Sequence, residues 1–378
     1  MNINSVLLGS AAALLAVSGA RAADAVTVAE PEPAEYVKIC DVYGAGYFYI
    51  PGTDTCLRVG GYIRYDVSGG EAGSFDGRNA TDSLDGDSQR TWKARARLAL
   101  MTWTGQETEL GTLKTYTQTR FNFNDGTSAI DSHFMWIQLG GLRVGVDESA
   151  FDTFIGYAGN VINDTLVPYG GFGTNLISYT FDAGNGLSAL ISVEQGSGTT
   201  SLLKPDLGGL YHWNGGTLYS TAETIDSYMP NVVGGAKFTQ GWGDIIGVAA
   251  YNSNFQEWAG KLRVDVKASD MVTLWVMGGY GTDDNIDRNF YKQWGGNWAI
   301  WGGGTIKLNP KISLNAQVSY DDDKNLGVAA NVAYTVIPGF TVTAEVDYVN
   351  GGGVSNWTGI PAGKDDAIGG VVRFQRSF

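Results

Sequence analysis

The 378-residue sequence predicts an all-β fold, a transmembrane antiparallel β-barrel of about sixteen strands with one loop folded inward, and three observations carry the prediction. Segments of about ten residues alternate apolar and polar side chains with a period of two. Clusters of Gly, Asn and Asp divide them, and these connections are alternately tight and long. Beyond a short run near the N-terminus, nothing approaches the roughly 20 apolar residues that a helix needs to cross a bilayer, so any span must be made of strands. Composition agrees, since 54 Gly and 19 Tyr, 15 Phe and 11 Trp against 9 Pro supply turn residues and strand-forming aromatics. A mean hydropathy close to zero fits a wall that faces water on one side only.

In chain order, residues 1–22 read as an export signal. Residues 6–17 are apolar, and Gly19-Ala20-Arg21-Ala22-Ala23-Asp24 offers small residues for cleavage near Ala22. The first five residues, Met1-Asn2-Ile3-Asn4-Ser5, depart from the usual pattern in carrying no Lys or Arg. Residues 23–56 follow as a leader and a small hairpin. The leader holds the acidic, Pro-containing Ala29-Glu30-Pro31-Glu32-Pro33-Ala34-Glu35, and residues 43–49, Pro51-Gly52 and 53–57 supply the two arms and turn. Cys40 and Cys56, the only two cysteines, would close that hairpin. Downstream of an export signal the compartment is oxidising, so a disulfide is expected, with two reduced buried thiols as the alternative.

Residues 57–378 supply the barrel. Strand-like segments fall near 57–68, 91–103, 111–123, 132–140, 142–147, 174–182, 186–194, 229–239, 243–254, 256–268, 271–281, 293–308, 312–321, 325–336, 339–350 and 367–378. The alternation is plainest where Ile312, Leu314, Ala316, Val318 and Tyr320 interleave with Ser313, Asn315, Gln317, Ser319 and Asp321. Connections at 140–141, 184–186, 309–311 and 338–339 are tight, whereas 69–90, 148–173, 195–228 and 351–366 are long. Short turns at one rim and long loops at the other are the mark of a membrane barrel; a soluble sandwich or propeller is the competing fold. Aromatics near segment ends, among them Tyr62, Trp103, Trp258, Trp275, Trp298, Tyr334 and Phe374, would form interfacial girdles. The sequence ends in an alternating strand whose last residue is Phe378.

A net charge of -14 argues against nucleic acid, whose binding rests on Lys and Arg. The basic residues nevertheless fall on single faces. Lys93, Arg95 and Arg97 share one parity, Arg58 and Arg64 another face with Tyr62, and Lys114 and Arg120 a third with Gln118. On neighbouring strands these would line one wall of the lumen, because Arg facing lipid near the midplane costs roughly 2–4 kcal/mol. Opposite should stand the loop from 148 to 173, apolar enough through Phe151, Phe154, Ile155, Tyr157, Val161, Ile162 and Leu166 to pack inside. With it come Asp147, Glu148, Asp152 and Asp164, and opposed charge across a narrow wet passage would set up a transverse field.

Enzymatic chemistry finds little footing. His133 and His212 lack spaced ligands or a nucleophile, and no phosphate-cradling Gly-rich loop is present. Asp82, Asp85 and Asp87, or Asp321-Asp322-Asp323, could offer oxygens to Ca²⁺ but read better as solvated turns. No cofactor or metal site is expected.

Taken together, the leader, the strands and the ending resemble the general porins of alphaproteobacteria, of the rhizobial type. The residues that carry the resemblance are Met1-Asn2-Ile3, Cys40-Asp41-Val42-Tyr43-Gly44-Ala45-Gly46-Tyr47-Phe48-Tyr49-Ile50-Pro51-Gly52 with Cys56-Leu57-Arg58-Val59, Val144-Gly145-Val146-Asp147-Glu148-Ser149, Gln293-Trp294-Gly295-Gly296 and Arg373-Phe374-Gln375-Arg376-Ser377-Phe378. The resemblance spans essentially the whole chain. It implies a homotrimer of sixteen-stranded barrels in the bacterial outer membrane, amid lipid and lipopolysaccharide, each with a pore narrowed by its third long loop. Small hydrophilic solutes and ions would diffuse through. Phe378 is similar to the terminal signal read by the barrel assembly machinery, although Arg376 breaks the alternation around it. Two alternatives stand beside passive diffusion. One is a channel selective for a sugar or nucleotide, for which Trp294, Trp298 and Trp301 are the candidate aromatic track; the other is a soluble secreted β-protein.

Overall fold

Alternation along each segment produces strands whose two faces differ in polarity, and sixteen of them pair edge to edge into a closed cylinder. The computed structural model describes residues 38–72, 78–196, 211–214, 217–220, 225–284, 289–351 and 366–378, so the export signal and most of the leader lie outside the described residues. The barrel strands are β1 (Cys56–Gly70), β2 (Lys93–Thr108), β3 (Gly111–Asn124), β4 (Thr127–Leu139), β5 (Leu142–Glu148), β6 (Gly173–Asp182), β7 (Leu187–Glu194) and β8 (Asn231–Gln240). They continue as β9 (Gly243–Asn252), β10 (Glu257–Lys267), β11 (Val272–Gly281), β12 (Trp298–Asn309), β13 (Ile312–Asp321), β14 (Leu326–Ile337), β15 (Phe340–Asn350) and β16 (Asp366–Ser377). Every pairing is antiparallel, and all but the closing one join chain neighbours. Closure comes from β1, which sets Tyr65 opposite Ala96 of β2 on one side and Phe374 of β16 on the other.

The polarity of the wall is inverted relative to a water-soluble protein. On β13, Asn315, Gln317, Ser319 and Asp321 are buried, while Val318 between them is 51% exposed. Val332 on β14 and Val346 on β15 are likewise exposed at 45% and 63%. Leaving such a surface in water would forfeit about 25 cal/mol for each Å² of apolar area, so its natural solvent is lipid. Trp258, Trp298, Tyr334 and Phe374 are outward and exposed, as a girdle requires. Tyr62, Trp103 and Trp275 are a correction: they share the inward parity with Arg64, Arg97 and Met277 and face the lumen.

Three boundaries differ from the sequence expectation by five residues, one being the end of β2 at Thr108 rather than 103. β4 begins at Thr127 rather than 132, because Asp125 and Gly126 take φ of 47° and 91° and close a two-residue hairpin turn. β12 begins at Trp298 rather than 293, since Trp294 is fully buried in the preceding loop.

Cys40 and Cys56 form a disulfide with Cα atoms 6.0 Å apart, and Phe48–Tyr49 pairs with the start of β1. This hairpin sits at the tight-turn rim. There Tyr43 covers Gly105, where a Cβ would come within 2.7 Å of the ring, so only glycine allows the contact.

The largest packed core lies between a loop and the wall. Residues 149–172 start with a single helical turn, Ala150–Thr153, capped by the Ser149 hydroxyl. Phe151, Ile155, Val167 and Tyr169 are fully buried against the inward faces of β8–β12, including Met277 and Trp301, with Phe290, Tyr291 and Trp294 of the preceding loop. The loop therefore folds into the barrel.

Candidate functional site

Three horizontal rows of side chains cross the inner face of β16, β1, β2 and β3. The register sets Arg373, Asp66, Arg95 and Asn124 in one row, and Gln375, Arg64, Arg97 and Asn122 in the next. Tyr62, Ala99 and Arg120 make the third. Rows lie two residues apart on each strand, about 7 Å, and strands are about 5 Å apart. The wall thus presents five guanidinium groups around one carboxylate.

The five are held differently. Asp66, 3% exposed, accepts from Arg95 Nη2 at 2.5 Å and from Arg373 Nε at 2.8 Å. The other three are aligned by amides. Arg64 Nε donates to Gln375 Oε1 at 2.9 Å, and Arg97 Nε to Asn122 Oδ1 at 2.6 Å. With the Gln118 amide turned to satisfy both its ends, its oxygen accepts from Arg120 Nε at 2.8 Å and Nη2 at 3.2 Å. Among the described residues none of these three pairs with a carboxylate. The Tyr62 ring lies under the Arg64 guanidinium at 4.6 Å, and Arg97 donates to its hydroxyl.

The remaining basic residues of the predicted wall are spread along the barrel axis. Arg58 stacks on Trp103 at 4.7 Å, and Lys114 stands opposite Gly105, both toward the tight-turn rim. Lys93 pairs in register with Ser68 toward the long-loop rim. Sequence reasoning missed Arg373. Its parity matches Gln375, but its place beside Asp66 appears only once the cylinder closes.

On the facing side the predicted acids are tied down. Asp147 and Glu148 end strand β5 and do not belong to the loop. Asp147 accepts from Arg143 Nη1 at 2.6 Å, and Glu148 accepts from the Tyr157 hydroxyl. Burial first, then the nearby Glu148 carboxylate, pushes the Tyr157 phenol above its ordinary range, so it stays a donor. Asp152 does not line the passage: it is fully buried, 2.6 Å from Lys261 Nζ, which also donates to Tyr169 O at 2.8 Å and lies 4.1 Å from the Phe151 ring. Burial pushes its carboxyl up to about 7, and Lys261 limits the rise. Asp164 is half-buried and accepts from the Tyr169 hydroxyl at 2.7 Å.

Two more buried carboxylates anchor the loop and were not singled out from the sequence. Glu345 accepts from Ile162 N at 2.5 Å, Asn163 N at 2.7 Å and Asn331 Nδ2 at 2.8 Å. Glu194 accepts from Ser149 Oγ at 2.7 Å, Ala150 N at 2.9 Å and Tyr291 OH at 3.1 Å. Both read as ordinary lumen positions until the loop is seen against them.

His133 sits on a wall strand with Nδ1 3.1 Å from Asp131, and the side chain of His212 lies outside the described residues. Asp82 and Asp85 accept from backbone N–H groups two residues on, as turn carboxylates do, and Asp321 from Gly295 N and Asn325 N. Trp294 and Trp301 are fully buried beneath the loop and Trp298 faces outward, so the three do not make a track.

The comparisons with known proteins agree with this architecture. The family described as "Porin subfamily" matches residues 24–371. Porin Omp2b of Brucella canis is 50% identical over 390 residues, covering 100% of each chain, and Porin Omp2b of Brucella abortus strain 2308 matches equally. Among solved structures, the outer-membrane channel DcaP of Acinetobacter baumannii superposes with a TM-score of 0.62 at 15% identity, covering 87% of this chain and 99% of its own. A mutant of the Rh. blastica porin gives 0.53 at 15% identity, covering 85% and 100%.

Proposed function

The chain belongs to the porin subfamily of bacterial outer-membrane channels, and from that premise we propose that it conducts small hydrophilic solutes and ions by passive diffusion, with its five-arginine wall lining the narrowest passage. The observation that carries this reading is the division of the lumen: the loop packs on β8–β12 and leaves the arginine wall facing water. The protein acts as a channel and catalyses no reaction. Solutes are sorted by size and charge, because charged groups at a constriction act on whatever crosses it.

Arg95 and Arg97, with Arg64, Arg120 and Arg373, form the basic side of the constriction; Glu148 is the acidic group left to oppose them. Lys93, Arg58 and Lys114 line the approaches. The working unit is a homotrimer in outer-membrane lipid and lipopolysaccharide, and Phe378, directly after the strand that seals the barrel, carries the signal for the barrel assembly machinery. Support for these last points is the family relation. Liposome swelling with sugars of graded mass tests the diffusion reading. A smooth decline with mass is expected, whereas sharp preference for one sugar would replace it with a selective channel. In planar bilayers, Arg95→Ala with Arg97→Ala should raise single-channel conductance; unchanged conductance would remove both from the constriction.

A further inference from the structure

The overall charge of -14 suggests a passage for cations, yet charges are not distributed where such a passage would need them. Of the four acids expected to oppose the arginine wall, Asp152 is buried against Lys261, Asp147 is paired with Arg143 and Asp164 is hydrogen-bonded to Tyr169, which leaves Glu148, itself hydrogen-bonded to Tyr157, as the one of the four facing Arg120. Asp66 is bracketed by two arginines. The opposite wall keeps more of its charge, with Asp131 in register beside Arg120 as its nearest acid outside Asp66. Arg64, Arg97 and Arg120 are oriented by Gln375, Asn122 and Gln118, and an amide oxygen fixes a guanidinium without neutralising it.

We propose that Arg64, Arg97 and Arg120 form an anion-binding subsite that favours phosphate- and carboxylate-bearing solutes over neutral and cationic ones. This rests on the channel reading above and adds a substrate class to it. Arg64 and Arg97 are direct cross-strand partners, and Arg120 lies one row away on the next strand. Spacings of about 5 and 7 Å allow more than one guanidinium to reach a single phosphate or dicarboxylate. Each Nε is spent on its amide, Arg120 Nη2 also reaches Gln118 and Arg97 reaches Tyr62, and the other terminal N–H groups remain for a ligand. Asp66 moderates the subsite by engaging Arg95 and Arg373, so that an anion can leave as well as enter.

The test uses the purified full chain in planar bilayers with a potassium chloride gradient, and inorganic phosphate as the added probe. Wild type should show a reversal potential of the sign for chloride preference and a chloride current reduced by millimolar phosphate. The variant Arg64→Gln, Arg97→Gln, Arg120→Gln should lose roughly three- to ten-fold in anion-to-cation permeability ratio and lose the phosphate block. Asp66→Asn should move both readings the opposite way, which keeps the inference open to failure if the triple variant does not fold. A cation-preferring wild type, or equal phosphate sensitivity in wild type and both variants, would overturn it. If sugars swell liposomes while phosphate has no effect, this inference alone fails. If neither sugars nor ions pass, the channel reading fails first.

Discussion

The arginine wall and the loop-covered wall use the same strand alternation to different ends. On β16, β1, β2 and β3, Arg64 and Arg97 meet amides and keep their fields, while Arg95 and Arg373 share Asp66. On β7, β10 and β15, the inward Glu194, Lys261 and Glu345 meet the loop and are buried, satisfied by backbone N–H groups or a single counter-charge. The difference teaches that parity alone states which side chains face inward, and that the partner across the lumen decides whether a charge acts on solute or on structure.

The largest effect should come from Lys261→Met. Removing one member of a buried pair typically costs about 3–5 kcal/mol, because the remaining charge is left uncompensated. The loop should loosen, with single-channel conductance raised and noisier and with unfolding on a denaturing gel at lower temperature. The second change Asp152→Leu should recover most of the loss, since an apolar pair can fill the same space. If the single variant matches wild type, the pair does not hold the loop. The pH sign follows from Asp152. Its docked carboxyl lies at about 7, above its ordinary 3.8, so this group's own contribution to docking is fullest below the lower value and is lost as pH rises through the higher one. In Lys261→Met that window should extend to higher pH.

Opening the disulfide comes next. The cross-link joins residues 16 apart, and loops of that size contribute about 3 kcal/mol in chain-entropy accounts. Cys40→Ser with Cys56→Ser should lower the unfolding temperature while conductance and ion preference stay the same. A change in ion preference would mean that the hairpin at the tight-turn rim reaches the constriction. Glu345→Gln should cost somewhat less, about 1.5–3 kcal/mol, since two backbone N–H groups and Asn331 lose a charged acceptor but keep a neutral one. Hydrogen exchange at Ile162 and Asn163 reads this directly; unaltered protection there would assign the loop's position to its apolar side chains alone.

Much of the fold was legible because the wall obeys a local rule. The segment 312–321 matches β13 to the residue, since alternation and flanking turns lie within the strand itself. β4 starts five residues before the regular alternation at 132, because the hairpin signal Asp125-Gly126 is followed by a less regular stretch that still pairs with β3. The apolar residues of loop 149–172 announced that it packs, and it does. What the sequence withheld were pairings between distant elements. Lys261 finds Asp152 across 109 positions, Glu345 finds Ile162 across 183, and Arg373 reaches Asp66 only because the last strand closes on the first. No window along the chain contains those contacts, so the acids of the loop looked available to solute when they were committed to structure.

The smallest expected effect defines how far the arginine wall extends. Arg58 shares the inward face with Arg64, but Gly60 and Gly61 separate them, and its guanidinium lies on Trp103 at 4.7 Å toward the tight-turn rim. A cation–π contact of this kind contributes about 0.5–1 kcal/mol where partly exposed, so Arg58→Ala should lower the unfolding temperature only slightly. If selectivity arises where Arg64, Arg97 and Arg120 converge, this charge adds to a diffuse approach field, which salt screens over about 10 Å at 0.1 M. The permeability ratio should then shift at low ionic strength and return to the wild-type value in molar salt. A shift that persists at high salt would place Arg58 inside the constriction, and the anion-sensing wall would then run from the middle of the barrel to its tight-turn rim.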